Sequence, residues 1–397
     1  MPHIANRVAL LSESETLQMA KLCRELRSQG RDIIDLSLGE PDFDTPEFIK
    51  DGARQALDFG FTKYSPVAGF FDLRKAICEK FKRDNNLVFT PEQIVVSTGA
   101  KQSIANAVMA LINDGDEVIV PSPYWVSYRE MIKMAGGKLI KVNTQYANEF
   151  KLTADELRKA ITPASRLFIF SSPCNPTGAV YSKQELKSLA DVLVEFPDIT
   201  VISDEIYEYI NFIGKHESIS QFDEMKNRVV IVNGCSKGFA MTGWRIGYIG
   251  APLEVALACE KIQGQFTSGA NSIAQRAALT ALSGPLDETI KMRNAFDRRR
   301  KLMKSLLENI DGIKCNHPEG AFYFFPDVSF YFNKKYKEYE IKNADDLCMF
   351  LLHEGNVSIV TGSAFGDERC VRISYATSDE NLEKAAERIK TTLALLK

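Results

Sequence analysis

The chain reads as an α/β protein with a largely parallel sheet and a smaller α+β unit at its C-terminal end. Three observations predict this. From about residue 90, short apolar runs alternate with amphipathic helical stretches. The runs are continuous rather than alternating in and out, which suits strands covered on both faces. The pattern then changes at Ser283-Gly284-Pro285, beyond which one long helical stretch precedes short strands and a closing helix.

Taken in order, the first 45 or so residues read as an amphipathic helix and a short strand ending in Gly39-Glu40-Pro41. That strand has no partner nearby in sequence, so it is expected to pack against the C-terminal unit. Ile94–Thr98 reads as a buried strand, and Ile104, Ala107, Val108 and Leu111 after it recur at helical spacing. Further strands are expected at Glu117–Val120, Leu167–Phe170, Thr200–Ser203 and Val229–Val232. Ser182-Lys183-Gln184-Glu185 is a capping-box pattern ahead of Leu186, Leu189, Ala190 and Leu193. Beyond Pro285 a long helix is expected from Leu286 through Met303 towards Leu307. Strands are expected at Gly320–Phe325, Val357–Val360 and Val371–Ser374, and a last helix from Asp379 to about Leu395. The predicted organisation is an arm and part of a small domain at 1–48, a large domain at 49–285, and a small C-terminal domain at 286–397.

Composition excludes several classes of function. The 397 residues are 45% hydrophobic and 25% charged, as in ordinary globular proteins. The 49 basic and 52 acidic residues are well mixed and leave a net charge of −3, without the concentrated basic face that nucleic acid requires. The densest basic run, Arg298-Arg299-Arg300-Lys301, falls in a helical pattern and reads as a solvated face. The first residues lack the apolar core of a signal peptide, and no apolar stretch approaches bilayer-spanning length. Eight irregularly spaced cysteines with no CxxC pair fit neither a disulfide framework nor a zinc site. The expected setting is the cytoplasm. His3, His216, His317 and His353 are isolated from one another, so no metal site is expected.

In open parallel sheets, ligands collect beyond the carboxyl ends of the strands. Four of these candidate strands deliver polar groups there. After Ile94–Thr98 come Gly99, Ala100 and Lys101, a glycine turn opening a helix whose free N–H groups suit an anion. After the strand at 167–170 comes Ser172-Pro173-Cys174-Asn175-Pro176, a loop stiffened by two prolines. Asp204 and Tyr207 follow the third strand, and Ser236 and Lys237 the fourth. A pyridoxal cofactor needs a lysine amine, a carboxylate on its ring nitrogen, donors to its phenolic oxygen and an anion cradle. Lys237, Asp204, Asn175 with Tyr207, and the Gly99–Lys101 turn meet these needs. Arg245 adds a charged phosphate contact.

The motifs GEPDFDTP (39–46), YSPVAG (64–69), SSPCNPTG (171–178), SDEIY (203–207), SKGFAMTGWRIG (236–247) and VRISYA (371–376) resemble the class I aminotransferases. The resemblance is nearest to the bacterial aspartate aminotransferases and covers nearly the whole chain in order. It implies a fold-type-I pyridoxal 5'-phosphate transferase with a mostly parallel seven-stranded sheet. It also implies a homodimer with shared active sites and ping-pong transfer of an amino group, with aspartate and 2-oxoglutarate the favoured pair. By the same resemblance, Lys237 anchors the cofactor and carries the proton, Asp204 pairs with the ring nitrogen, and Asn175 and Tyr207 bind the phenolic oxygen. Trp125 stacks on the ring, Ser236 lies beside the cofactor, and Tyr64 reaches the phosphate of the neighbouring subunit. The substrate α-carboxylate falls to Arg372 and the Gly39 backbone, with Asn175 and Trp125 alongside. Lys101, Ser14 and Thr16 match positions that recognise a distal carboxylate. The chain departs from the pattern at Ser12, where relatives often carry lysine, and at Asn233-Gly234, which lacks a phosphate-binding serine.

Each residue also has a structural reading. Trp125 suits a core, Gly39 a turn, and Ser14 or Thr16 a helix cap. Rival activities on the same scaffold are an aromatic or alanine aminotransferase and a pyridoxal-dependent β-lyase. A cofactor-sensing transcription regulator would need an appended helix-turn-helix, which the sequence lacks.

Overall fold

The computed structural model describes residues 4–13 and 15–397. His3 and Ser14 lie outside the described residues.

The apolar runs form a seven-stranded sheet in the order β2-β8-β7-β6-β5-β3-β4. Its members are β2 (Ile94–Thr98), β3 (Glu117–Ser122), β4 (Lys138–Asn143), β5 (Ser165–Ser171), β6 (Thr200–Asp204), β7 (Val229–Gly234) and β8 (Ile246–Gly250). Only β8 runs against its neighbours β2 and β7. Successive residues point to opposite faces, and both faces are apolar. Val96, Phe168, Phe170, Val201 and Ile231 pack on one side, while Val95, Leu167, Ile169, Ile202 and Val230 pack on the other. Each such aliphatic side chain, fully buried, contributes roughly 1.5–3 kcal/mol.

Two of these strands were not expected from sequence. β4 mixes lysines with apolar residues at the sheet edge, so none of it is fully buried and no continuous apolar run announces it. β8 contains Gly247 and Gly250, which dilute its apolar signal. Gly247 is required by close approach, since a Cβ there would stand 2.1 Å from the backbone nitrogen of Ala100.

β1 (Ile34–Asp35) pairs in parallel with β12 (Val357–Ser358), which joins the N-terminal segment to C-terminal elements. β9 (Tyr323–Phe324), β13 (Val360–Thr361) and β14 (Val371–Ser374) form a three-stranded antiparallel sheet, with β14 in the centre. β10 (Lys335–Tyr336) and β11 (Tyr339–Glu340) make a hairpin. The helix Asp287–Glu308 buries Met292, Phe296, Arg299, Met303 and Leu307 along one stripe. The solvated reading of the Arg298–Lys301 run therefore needs correcting. Arg299 faces inward, and its two terminal nitrogens grip Asp42 at 2.7 and 2.9 Å. Helical periodicity turns one residue in such a run toward the core.

The capping box at Ser182 forms, with Glu185 accepting from the Ser182 N–H at 2.8 Å. Parallel register brings the ends of β5, β6 and β7 to one rim, pairing Ser171 with Asp204 and Asp204 with Val232.

Candidate active site

A cavity of about 390 Å³ opens at that rim. Around it stand Thr16, Gly39, Ala100, Lys101, Trp125, Asn175, Asp204, Tyr207, Ser236, Lys237, Arg245 and Arg372. Gly99 caps the helix Ala100–Leu111 with φ +80°. Tyr64 is elsewhere, 95% exposed on the outer surface.

Asp204 ends β6 and is buried. Its carboxylate accepts from the Tyr128 hydroxyl at 2.6 Å and from the Ile206 N–H at 3.3 Å. Burial pushes its pKa up to about 6, against the opposing hydrogen bond from Tyr128. Lys237 follows β7, and its ammonium donates to the Gly39 carbonyl at 2.5 Å. Burial, opposed by Glu40 and aided by Arg372 and Arg245, lowers the Lys237 pKa to about 8. One rim thus presents a carboxyl raised and an amine lowered toward neutrality, a pairing that clusters at functional sites.

The loop from Ser172 to Gly178 holds Asn175 between two cis peptide bonds, at Ser172–Pro173 and Asn175–Pro176. The Asn175 carbonyl oxygen accepts from Arg372 at 3.0 Å. Arg372 is buried at the centre of the three-stranded sheet, also donates to the Ser37 carbonyl, and leaves its Nε without a partner. A buried guanidinium with an idle donor is a receptor for an anion.

Gly99 leaves room at the helix start. A Cβ there would stand 2.3 Å from an Arg245 nitrogen. Free helical N–H groups and a guanidinium thus face the same space, a cradle that fits a phosphate. Lys101 lies one residue into the helix, its ammonium 5.0 Å from the Trp125 ring centroid. Desolvation, then the charge of Arg245, lowers its pKa. Ser12 is outside the cavity lining, its N–H bonded to Glu130 at 3.0 Å. The donor set fits pyridoxal phosphate: an amine, a carboxylate, two phenolic-oxygen donors and an anion cradle on one rim.

Tyr128 and Tyr323 are among the cavity side chains that the sequence did not point to. Tyr128 lies three residues past Trp125, one helical turn on, but nothing in its neighbours signals a bond to Asp204. Tyr323 sits in the aromatic run Phe322–Phe325, which reads as core, and its hydroxyl is 2.6 Å from that of Tyr207.

Glu205, Glu208 and His216 also converge, within 4.8 Å of one another. They are engaged with protein partners. Lys80 pairs with Glu208, while Ser203, Ser218 and His216 bond Glu205 at 2.9, 2.6 and 2.8 Å.

Together, the parallel sheet and the lysine–aspartate rim define a cofactor-dependent transferase of the pyridoxal phosphate type. Residues 31–389 match the family described as Aminotransferase class I and II, so the chain belongs to that family of pyridoxal-phosphate-dependent aminotransferases. It is 45% identical over 397 residues to the aspartate/prephenate aminotransferase of Cereibacter sphaeroides, covering 99% of each chain. The crystal structure of the aspartate aminotransferase from Rhizobium meliloti superposes with a TM-score of 0.96 at 41% identity, over 100% of both chains. That of the Thermus thermophilus aspartate aminotransferase with maleate gives 0.92 at 42% identity, over 99% of this chain and 100% of that one. Among the described residues, no helix is long and apolar enough to cross a membrane.

Proposed function

We propose that the chain moves the amino group of L-aspartate to 2-oxoglutarate in two half-reactions at this one cavity, as a cytosolic homodimer. The observation that carries the reading is the convergence of Lys237, Asp204 and Arg372 on a single cavity, each with an environment suited to its task. Pyridoxal phosphate, when bound, supplies an electron sink for the charge that develops at the substrate α-carbon.

The protein's own residues do the rest. Lys237 holds the cofactor and then carries a proton on its Nζ from one carbon to another, a task helped by a pKa lowered to about 8. Asp204 keeps the ring nitrogen protonated. A cation beside its carboxylate draws the pKa back down from about 6, and Tyr128 holds the oxygen in place. Tyr207 and Asn175 donate to the phenolic oxygen. Ser236, Arg245 and the Gly99–Ala100–Lys101 turn would hold the phosphate, and Trp125 would lie against the ring. Arg372 takes the α-carboxylate through paired donors, beside Gly39 and with Asn175 and Trp125 alongside.

Lys101 and Thr16 receive the distal carboxylate. With Lys237 and Arg245 assigned to the cofactor, Arg372 and Lys101 leave two cations for a dicarboxylic substrate, and the Thermus aspartate aminotransferase structure is one with maleate, a four-carbon dicarboxylate. Tyr64 completes the phosphate site of a second subunit. Its exposure leaves it free for such a contact. The division into segments 1–48, 49–285 and 286–397 belongs to the same reading.

The test is a half-reaction. Protein loaded with pyridoxal phosphate and given L-aspartate alone should lose its visible band and form one equivalent of oxaloacetate without ammonia. Ammonia release would mark a lyase. Inertness toward aspartate with conversion by an aromatic donor or alanine would move the substrate class.

A further inference from the structure

Tyr323 lies on β9, which pairs with the strand carrying Arg372, and its side chain is fully buried. Tyr207 arrives from the other sheet, in the turn after β6. Their hydroxyl oxygens are 2.6 Å apart, so one hydrogen bond joins elements of two separate sheets inside the cavity. Three neighbours fix the Tyr323 ring. The Arg372 guanidinium lies 4.6 Å from its centroid, Phe322 packs at 4.8 Å, and its hydroxyl sits 2.8 Å from where a Gly39 Cβ would stand.

The Tyr207 hydroxyl has one proton, which can point at Tyr323 or into the cavity. An anionic oxygen in the cavity wins it, since a charge-assisted hydrogen bond is about twice as strong as a neutral one. The oxygen of Tyr207 is then free to accept the Tyr323 proton, and each bond in such a chain polarises the next.

We propose that Tyr323 is a positioning residue that holds the Tyr207 proton toward the phenolic oxygen of the cofactor. The assignment rests on the cofactor reading above. Tyr323 acts only through Tyr207. Besides Tyr207, the charged groups around it are Arg372 and Glu40, and Lys237 lies 5.7 Å from the Tyr207 ring centroid.

The experiment is a pH titration of the visible band of the protein loaded with pyridoxal phosphate. It compares wild type, Tyr323→Phe, Tyr207→Phe and the double variant. Tyr323→Phe should raise the midpoint by about one pH unit, a tenfold change in ionisation. Tyr207→Phe should raise it further, and the double variant should match Tyr207→Phe. Gly39→Ala is a second route, because it keeps the tyrosine but crowds its hydroxyl. It should raise the midpoint in the wild-type background and leave it unmoved beside Tyr207→Phe. An unchanged midpoint in Tyr323→Phe, or in Gly39→Ala where the former does not fold, overturns the proposal. So does a shift that persists in full without the Tyr207 hydroxyl. A wild-type protein that loads and titrates normally leaves the cofactor reading standing in either case. One that takes up no colour brings down both.

Discussion

At the floor of the cavity, Asp204, Tyr207 and Arg372 are 5%, 3% and 2% exposed, and each is bonded to a neighbouring side chain. At its mouth Leu17 is 66% exposed, and Thr16 and Lys101 have solvent on one side. Asp204 ends β6 and Arg372 lies within β14, where ladder hydrogen bonds fix the backbone, and Tyr207 lies in the turn just after β6. Thr16 stands in the first turn of an N-terminal helix, where Glu15 pairs with Arg129 at 3.4 Å in a partly solvated setting, while Ala20, Cys23 and Leu26 farther along are buried. Buried, bonded groups are costly to disturb, whereas partly solvated pairs are worth less. The chemistry thus sits where geometry is rigid, and substrate choice sits where side chains adjust cheaply.

This difference can be broken first at Arg372. Arg372→Ala should raise the KM for aspartate by about 10²-fold, since two charge-assisted bonds are lost from a buried site. Steady-state kinetics with an unchanged KM would put the α-carboxylate elsewhere. Lys101→Ala should cost only about tenfold, because its cation is partly screened. The loss should appear with dicarboxylic donors and spare alanine. An equal loss for both would place Lys101 on the phosphate alone.

The smallest effect is in stability against pH, measured by denaturant unfolding of the cofactor-free protein. The folded pKa of Lys237 is lowered from 10.5 to about 8, so between these values the unfolded chain binds more protons and stability rises with pH. The folded pKa of Asp204 is raised from 3.8 to about 6, so in that lower window the folded chain binds more protons and stability falls as pH rises. Lys237→Met should flatten the upper window and Asp204→Asn the lower. Slopes identical to wild type would mean that neither group is as buried as described.

Much of this was readable from residues alone where pattern and burial agree. β2 and β14 occupy the stretches expected for them, 94–98 and 371–374. Where they disagree, the reading failed. β4 is half solvated, β8 is thinned by glycine, and Arg299 is a buried charge inside a basic run. Most of the residues named from sequence meet around one cavity because strand ends converge, and order along the chain exposes that convergence. The bonds of Tyr128 to Asp204 and of Tyr323 to Tyr207 cross 76 and 116 residues. No local pattern encodes such distances.

The central claim is that one amine, at the end of β7, holds the cofactor. Reduction of the loaded protein with borohydride, followed by peptide mapping, tests it directly. A stable pyridoxyl adduct is expected on Lys237 in wild type and none at that position in Lys237→Ala, which should also lack the visible band. An adduct on another lysine, or a visible band retained by Lys237→Ala, would contradict it.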